Sequence, residues 1–160
     1  ASQAVEFLKE VDAINLRARQ RIIELVRKDL SDDLQGKKVA ILGAAFKPDS
    51  DDVRDSPALD IAAQIQAAGA VVTVHDPKAI VNAQKRFPAL KFAEDIDNTL
   101  KDAEIVLHLT EWKIYREIDP VKAKSLVKSA IMIDGRNALD RTTWQSAGWK
   151  FRALGRANNE

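Results

Sequence analysis

The sequence predicts an α/β fold: a doubly wound, mostly parallel sheet with helices on both faces, preceded by a long N-terminal helix. Three observations carry this. Short apolar runs such as Val39-Ala-Ile-Leu42 and Ile105-Val-Leu-His-Leu109 suit strands buried on both faces. Segments with helical spacing lie between them, so strands and helices alternate. The connections are short and marked by Gly, Asp and Pro.

Residues 3–30 read as one helix. Val5, Leu8, Val11, Ile14, Ala18, Ile22, Leu25 and Val26 recur at helical spacing, with no Gly or Pro among them. Ser31-Asp32-Asp33 and Gly36 end it. The first strand is Val39–Leu42. A helix then starts at Ser56 as N-cap with Pro57 at the first helical position, and Gly69 stops it. Val71–Val74 is the second strand, ended by Asp76-Pro77. A helical segment near 78–87, a short strand at Phe92-Ala93 and a helix over 95–101 follow. Ile105–Leu109 is a clear strand. Helices over 112–117 and 120–127, a strand over Ala130–Ile133, a helix near 140–147 and a strand around 150–154 complete the pattern.

The composition excludes several functions. The 160 residues suffice for one domain with a real core, and the net charge of +1 builds no basic field for nucleic acid. There is no cysteine, which removes disulfides, thiolate metal sites and a cysteine nucleophile from this chain. No secretory signal pattern is present, and no apolar run nears the roughly 20 residues that span a bilayer. The expected setting is cytoplasmic, without nucleic-acid or membrane partners.

In such sheets ligands bind beyond the carboxyl ends of the strands, where strand order reverses. Three loops leave those ends. The first is G-A-A-F-K-P-D-S-D-D-V-R-D-S-P, residues 43–57. It is not a dinucleotide fingerprint: only Gly43 is present, and Phe46 stands where a small residue is needed. Nor is it a calcium loop, because counting from Asp49 puts Arg54 at the glycine position and Val53 at a ligand position. Two readings stay open on the residues alone. Lys47 and Arg54 are anion ligands, or the loop is a solvated acidic face whose ion pairs are each worth about 0–1 kcal/mol. The second loop, Asp134-Gly-Arg-Asn137, puts Arg136 at the sheet edge, either as an anion ligand or as a partner of Asp134. The third, Thr110-Glu-Trp112, reads as a helix start, with Thr110 as N-cap and Trp112 covering core. His75 and His108 read as core or edge residues rather than catalysts.

The 43–57 segment resembles the G-x-A-F-K-P-x-T-D-D-x-R-x-S-P motif of the nucleotide-sugar dehydrogenase family. L-T-E-W and D-G-R-N follow in the same order and resemble its UDP-glucose dehydrogenase branch. The closing L-G-R matches a common family ending. The resemblance spans essentially the whole chain. It implies a Rossmann-like UDP-sugar-binding domain over residues 36–160, with residues 1–35 as the end of a connecting helix that pairs subunits into a homodimer.

Residue by residue, the resemblance implies that Phe46, Lys47 and Arg136 contact the UDP-sugar and that Arg54 reaches NAD held mainly by another domain. It implies oxidation of UDP-glucose to UDP-glucuronate by two NAD-dependent hydride transfers through a thioester on a cysteine. The chain has neither that cysteine nor a G-x-G-x-x-G segment. It is therefore expected to be a fragment without a catalytic residue of its own, inactive alone. Alternatives are a stand-alone nucleotide-sugar-binding or regulatory module, and a relative acting on GDP-mannose or UDP-N-acetyl sugars.

Overall fold

Every residue of Val39–Leu42 is at most 1% exposed, as expected of a strand covered on both faces. The computed structural model describes residues 2–155. They form α1 (Ser2–Asp29), β1 (Lys38–Leu42), α2 (Pro57–Ala67), β2 (Val71–His75), α3 (Ile80–Arg86), β3 (Lys91–Phe92) and α4 (Ile96–Leu100). Then come β4 (Ile105–His108), α5 (Lys113–Arg116), α6 (Pro120–Leu126), β5 (Ile131–Asp134), α7 (Arg141–Ser146) and β6 (Lys150–Ala153). The expected elements all occur, with ends shifted by a residue or two. The L-G-R ending is described only to Gly155; Arg156 lies outside the described residues.

The strands form one sheet in the order β3-β2-β1-β4-β5-β6. Each neighbouring pair is parallel, so the expected mostly parallel sheet is wholly so among the described residues. Winding reverses between β1 and β4. With right-handed crossovers, that reversal sends α2 to one face and α6 to the other. The carboxyl ends of β1 and β4 therefore open a crevice.

Local chemistry sets the helix starts. Ser56 Oγ accepts from Leu59 N at 3.3 Å and donates to Ala44 O at 2.6 Å, so one hydroxyl caps α2 and holds the first loop. Asp95, Asp119 and Asp140 cap α4, α6 and α7 in the same manner.

The long helix has two characters. Ile22, Ile23, Leu25 and Val26 are buried in the common core. Toward the N-terminus, Val5, Phe7, Leu8, Ile14 and Leu16 are each at least half exposed. The far end is clamped. Asp29 is half-buried as a residue, but its side chain is shielded from solvent; it accepts from Arg152 Nε at 2.8 Å and Nη2 at 2.9 Å on β6, and pairs with Lys150 at 2.9 Å. No helix among the described residues is long and apolar enough to cross a membrane.

Burial pushes the Asp29 pKa up, but the bonds from Arg152 and Lys150 outweigh it and hold the carboxyl below its ordinary range. A carboxyl depressed in the folded state stabilises fully above its unfolded pKa, and that stability is lost as pH falls through the lowered value. Asp29→Ala is expected to cost about 2–3 kcal/mol, because charge-assisted bonds are removed from a buried guanidinium. Urea unfolding at neutral pH checks this: the midpoint falls with an unchanged slope, and the gap to the unsubstituted chain narrows in strong acid.

Candidate functional site

The site is built around two carboxylates at the carboxyl ends of strands. Asp76, immediately after β2, is 2% exposed. Its Oδ2 accepts from Ala44 N (2.9 Å), Ala45 N (3.0 Å) and Trp112 Nε1 (3.1 Å). Its Oδ1 accepts from Lys78 N and Ala79 N, each at 2.9 Å. One side chain thus ties together the loops after β1, β2 and β4.

Asp134, the last residue of β5, is the second. It accepts from Arg136 N (3.0 Å), Ala138 N (2.9 Å) and Leu139 N (2.8 Å), and bonds His108 Nδ1 at 2.8 Å. Burial raises its pKa, yet the His108 bond and the backbone donors prevail and keep it low. His108 is fully buried and His75 nearly so, both as core residues. Tyr115 lies edge-on to both rings and its hydroxyl meets His75 Nδ1 at 2.7 Å. Burial pushes the His75 pKa down and the Tyr115 phenol up, so both are held neutral.

One local expectation needs correction, and one open alternative drops out. Thr110 is not a helix N-cap; that place belongs to Trp112, without a side-chain bond. Thr110 Oγ1 instead donates to Ala45 O at 2.9 Å, pinning the first loop to the third. A Cβ on Gly43 would lie 2.6 Å from Thr110 N, and its φ is +112°, so only glycine lets the two loops meet. Nor does Arg136 pair with Asp134. Its guanidinium binds Glu111, Nε to Oε2 and Nη2 to Oε1, because Asp134 is consumed by backbone donors and His108. Gly135 serves space rather than turn geometry: a Cβ there would meet Ile22 Cδ1 and Leu109 Cδ2 at 2.9 Å.

Phe46, Lys47 and Arg136 line one cleft of about 250 Å³ over the carboxyl edge of the sheet. Leu109 and Gly135 form its floor with Ile22, and Asn15 and Arg19 of α1 form part of its wall. Arg19 donates through Nη1 to Asp60 at 3.1 Å, which fastens α1 to α2. The Phe46 ring is half exposed. The cleft therefore offers an apolar ring, a lysine and an arginine fork to one ligand, a donor set suited to a base or sugar carrying phosphate.

Arg54 lies elsewhere, in an open hollow with Asn82, Lys85 and Arg86. Its Nε and Nη2 donate to the two oxygens of Asp52 at 3.0 and 2.9 Å. The Arg54 side chain, then its backbone N–H, pushes the Asp52 carboxyl down to about 2. Asp49 and Asp55 adopt left-handed φ of 61° and 52°, so they serve as turn residues. The loop thus turns Phe46 and Lys47 toward one recess and Arg54 toward another.

The model of the UDP-glucose/GDP-mannose dehydrogenase family, UDP binding domain, matches residues 40–141. This chain belongs to that family. It is 34% identical over 157 residues to the UDP-glucose 6-dehydrogenase TuaD of Bacillus subtilis, covering 98% of this chain and 34% of the relative. A UDP-glucose dehydrogenase structure from Pyrobaculum islandicum superposes with a TM-score of 0.79 at 29% identity, covering 93% of this chain and 32% of that one. An NDP-N-acetyl-D-galactosaminuronic acid dehydrogenase structure from Methanosarcina mazei gives 0.74 at 27% identity, covering 88% and 29%. The chain spans about a third of the length of the curated relatives it matches.

As a UDP-binding domain of this family, the chain carries organising residues that sequence reasoning missed. Asp76 was legible only as a strand terminator, although an aspartate before a proline at a strand's carboxyl end is a natural receiver of turn N–H groups. Asn15 and Arg19 sit on the polar side of an amphipathic helix and gave no local sign of facing a cleft. Asp76→Asn is expected to cost about 3 kcal/mol, since an amide cannot serve five N–H donors. Chemical unfolding measures that loss, and near-ultraviolet circular dichroism reports the loosened Trp112.

Proposed function

We propose that the cleft holds a UDP-sugar and that the chain is the UDP-sugar-binding portion of an NAD-dependent UDP-glucose dehydrogenase, which converts UDP-glucose to UDP-glucuronate in two hydride transfers. One observation carries this reading: the neighbours Phe46 and Lys47 and the sequence-distant Arg136 line the same cleft at the point where strand order reverses. Family membership and the 34% identical UDP-glucose 6-dehydrogenase support it. In this reading Lys47 places a point charge on the diphosphate, Arg136 a fork, and the Phe46 ring an apolar face on a base or sugar ring. Residues 1–35 are assigned to the connecting helix and 36–160 to the UDP-sugar domain. A cytoplasmic setting remains part of the proposal.

NAD would find little in this chain to hold it. The loop after β1 is closed by the Gly43–Thr110 contact and has no glycine cradle, so Arg54, exposed and steered by Asp52, is the single cofactor contact assigned here. When bound, NAD supplies the hydride acceptor. This chain's own part is to bind and orient the nucleotide end of the substrate. Its sequence has no cysteine to form the thioester.

The test is calorimetric titration with UDP, UDP-glucose and GDP-mannose, together with an NAD-reduction assay. UDP-glucose is expected to bind, with no NAD reduction by this chain alone. Lys47→Ala and Arg136→Ala are each expected to weaken binding about tenfold, the loss of one charge-assisted contact. Binding indifferent to both substitutions overturns the assignment. The similarity to the Methanosarcina enzyme makes an N-acetylated sugar the second substrate class, and a UDP-N-acetyl sugar in the same titration separates the two.

We also propose a homodimer through α1. Its exposed Val5, Phe7, Leu8, Ile14 and Leu16 form an apolar surface that the domain's own core does not cover. Sedimentation is expected to give a dimer that Leu8→Glu with Ile14→Glu converts to monomer; a strict monomer at high concentration for the unsubstituted chain refutes it.

A further inference from the structure

Glu111 and Arg136 stand on neighbouring loops whose positions are fixed from below. β4 and β5 run in parallel with His108 opposite Asp134, so the chains that leave them rise side by side. Thr110 is bonded to Ala45 O, Trp112 to Asp76, and the Arg136 N–H to Asp134. The anchors flank Glu111 on both sides and hold the backbone of Arg136. The pair is therefore not a chance meeting of two mobile surface chains, the usual origin of ion pairs with no measurable effect.

The form of the contact matters. Glu111 takes the arginine side-on, through Nε and Nη2. A guanidinium has five N–H donors. Two face Glu111. Both N–H groups of Nη1 and the second of Nη2 remain; one from each nitrogen forms the end-on fork that matches a phosphate. The carboxylate thus orients the arginine without occupying the edge an anion needs. A free arginine would have to lose its rotamer freedom on binding; this one has lost it beforehand.

We propose that Glu111 is a positioning residue for phosphate recognition, holding the Nε–Nη2 edge of Arg136 so that its Nη1–Nη2 edge is presented to a phosphate in the cleft. This rests on the cleft being the nucleotide-sugar site. It also gives Glu111 a role that its negative charge, close to where an anion would sit, would otherwise contradict.

A double-mutant cycle tests it, with UDP as the calorimetric probe and uridine as the phosphate-free control. Arg136→Ala is expected to weaken UDP binding about tenfold and Glu111→Ala about fivefold. In the Arg136→Ala background, Glu111→Ala is expected to change affinity less than about twofold, because its effect passes through the arginine. Glu111→Gln, which keeps one acceptor, falls between Glu111→Ala and the unsubstituted chain, and uridine binding is the same in all of them. Tighter UDP binding by Glu111→Ala makes the carboxylate a competitor and overturns the proposal. So does an equal loss in both backgrounds, or an equal loss for uridine, since each marks a merely structural role. No UDP binding by the unsubstituted chain, or UDP binding indifferent to Arg136→Ala, overturns the reading of the cleft itself, a failure distinct from absent coupling.

Discussion

The site depends on the buried carboxylate of Asp76. Five N–H groups from the loops after β1, β2 and β4 converge on its two oxygens. The carboxyl ends of parallel strands leave backbone N–H groups with no ladder partner, and burying them unpaired would cost about 1–3 kcal/mol each. The Asp76 side chain, just past the carboxyl end of β2, satisfies those around the first loop together. The loops are thereby rigid where they leave the sheet and open where they meet solvent, which suits a recognition site built on a scaffold.

The same pairing of charges governs the arginines of the cleft and of the Arg54 hollow. Arg136 is matched by Glu111, Arg54 by Asp52 and Arg19 by Asp60. The first loop, with four aspartates against Lys47 and Arg54, looks ill-suited to bind an anion when charge is merely summed. The geometry removes the paradox. Asp52 is committed to Arg54, and Asp49 and Asp55 occupy left-handed turn positions. The aspartates shape the loop and steer its cations, while Lys47 reaches the cleft.

The long helix joins two environments. Its last turns belong to the core and are clamped to β6 through Asp29, whereas its first turns present apolar side chains to solvent. Between them, Asn15, Arg19 and Ile22 reach the cleft, so the helix is also part of its wall. The apolar first half and the cleft wall are therefore parts of one continuous element, and a change in how the first half packs bears directly on the cleft.

The strands, the Ser56-Pro57 helix start and the 43–57 motif were legible in the sequence, because each depends on neighbours within one element: burial on both strand faces, an N-cap oxygen, a fixed proline φ. Family and fold followed from those local signals. What the loops do to each other was not legible. Thr110 looked like a helix cap and became a strap to Ala45; Arg136, read as either an anion ligand or a partner of Asp134, turned its side chain to Glu111. These outcomes were decided by strand order and register, which set β4 between β1 and β5 and His108 beside Asp134. A residue's spacing along the chain carries no record of which loop or helix will stand next to it, so the motif resemblance could name Phe46, Lys47 and Arg136, but the contribution of Asn15, Arg19 and Ile22 to the cleft was decided only by the fold.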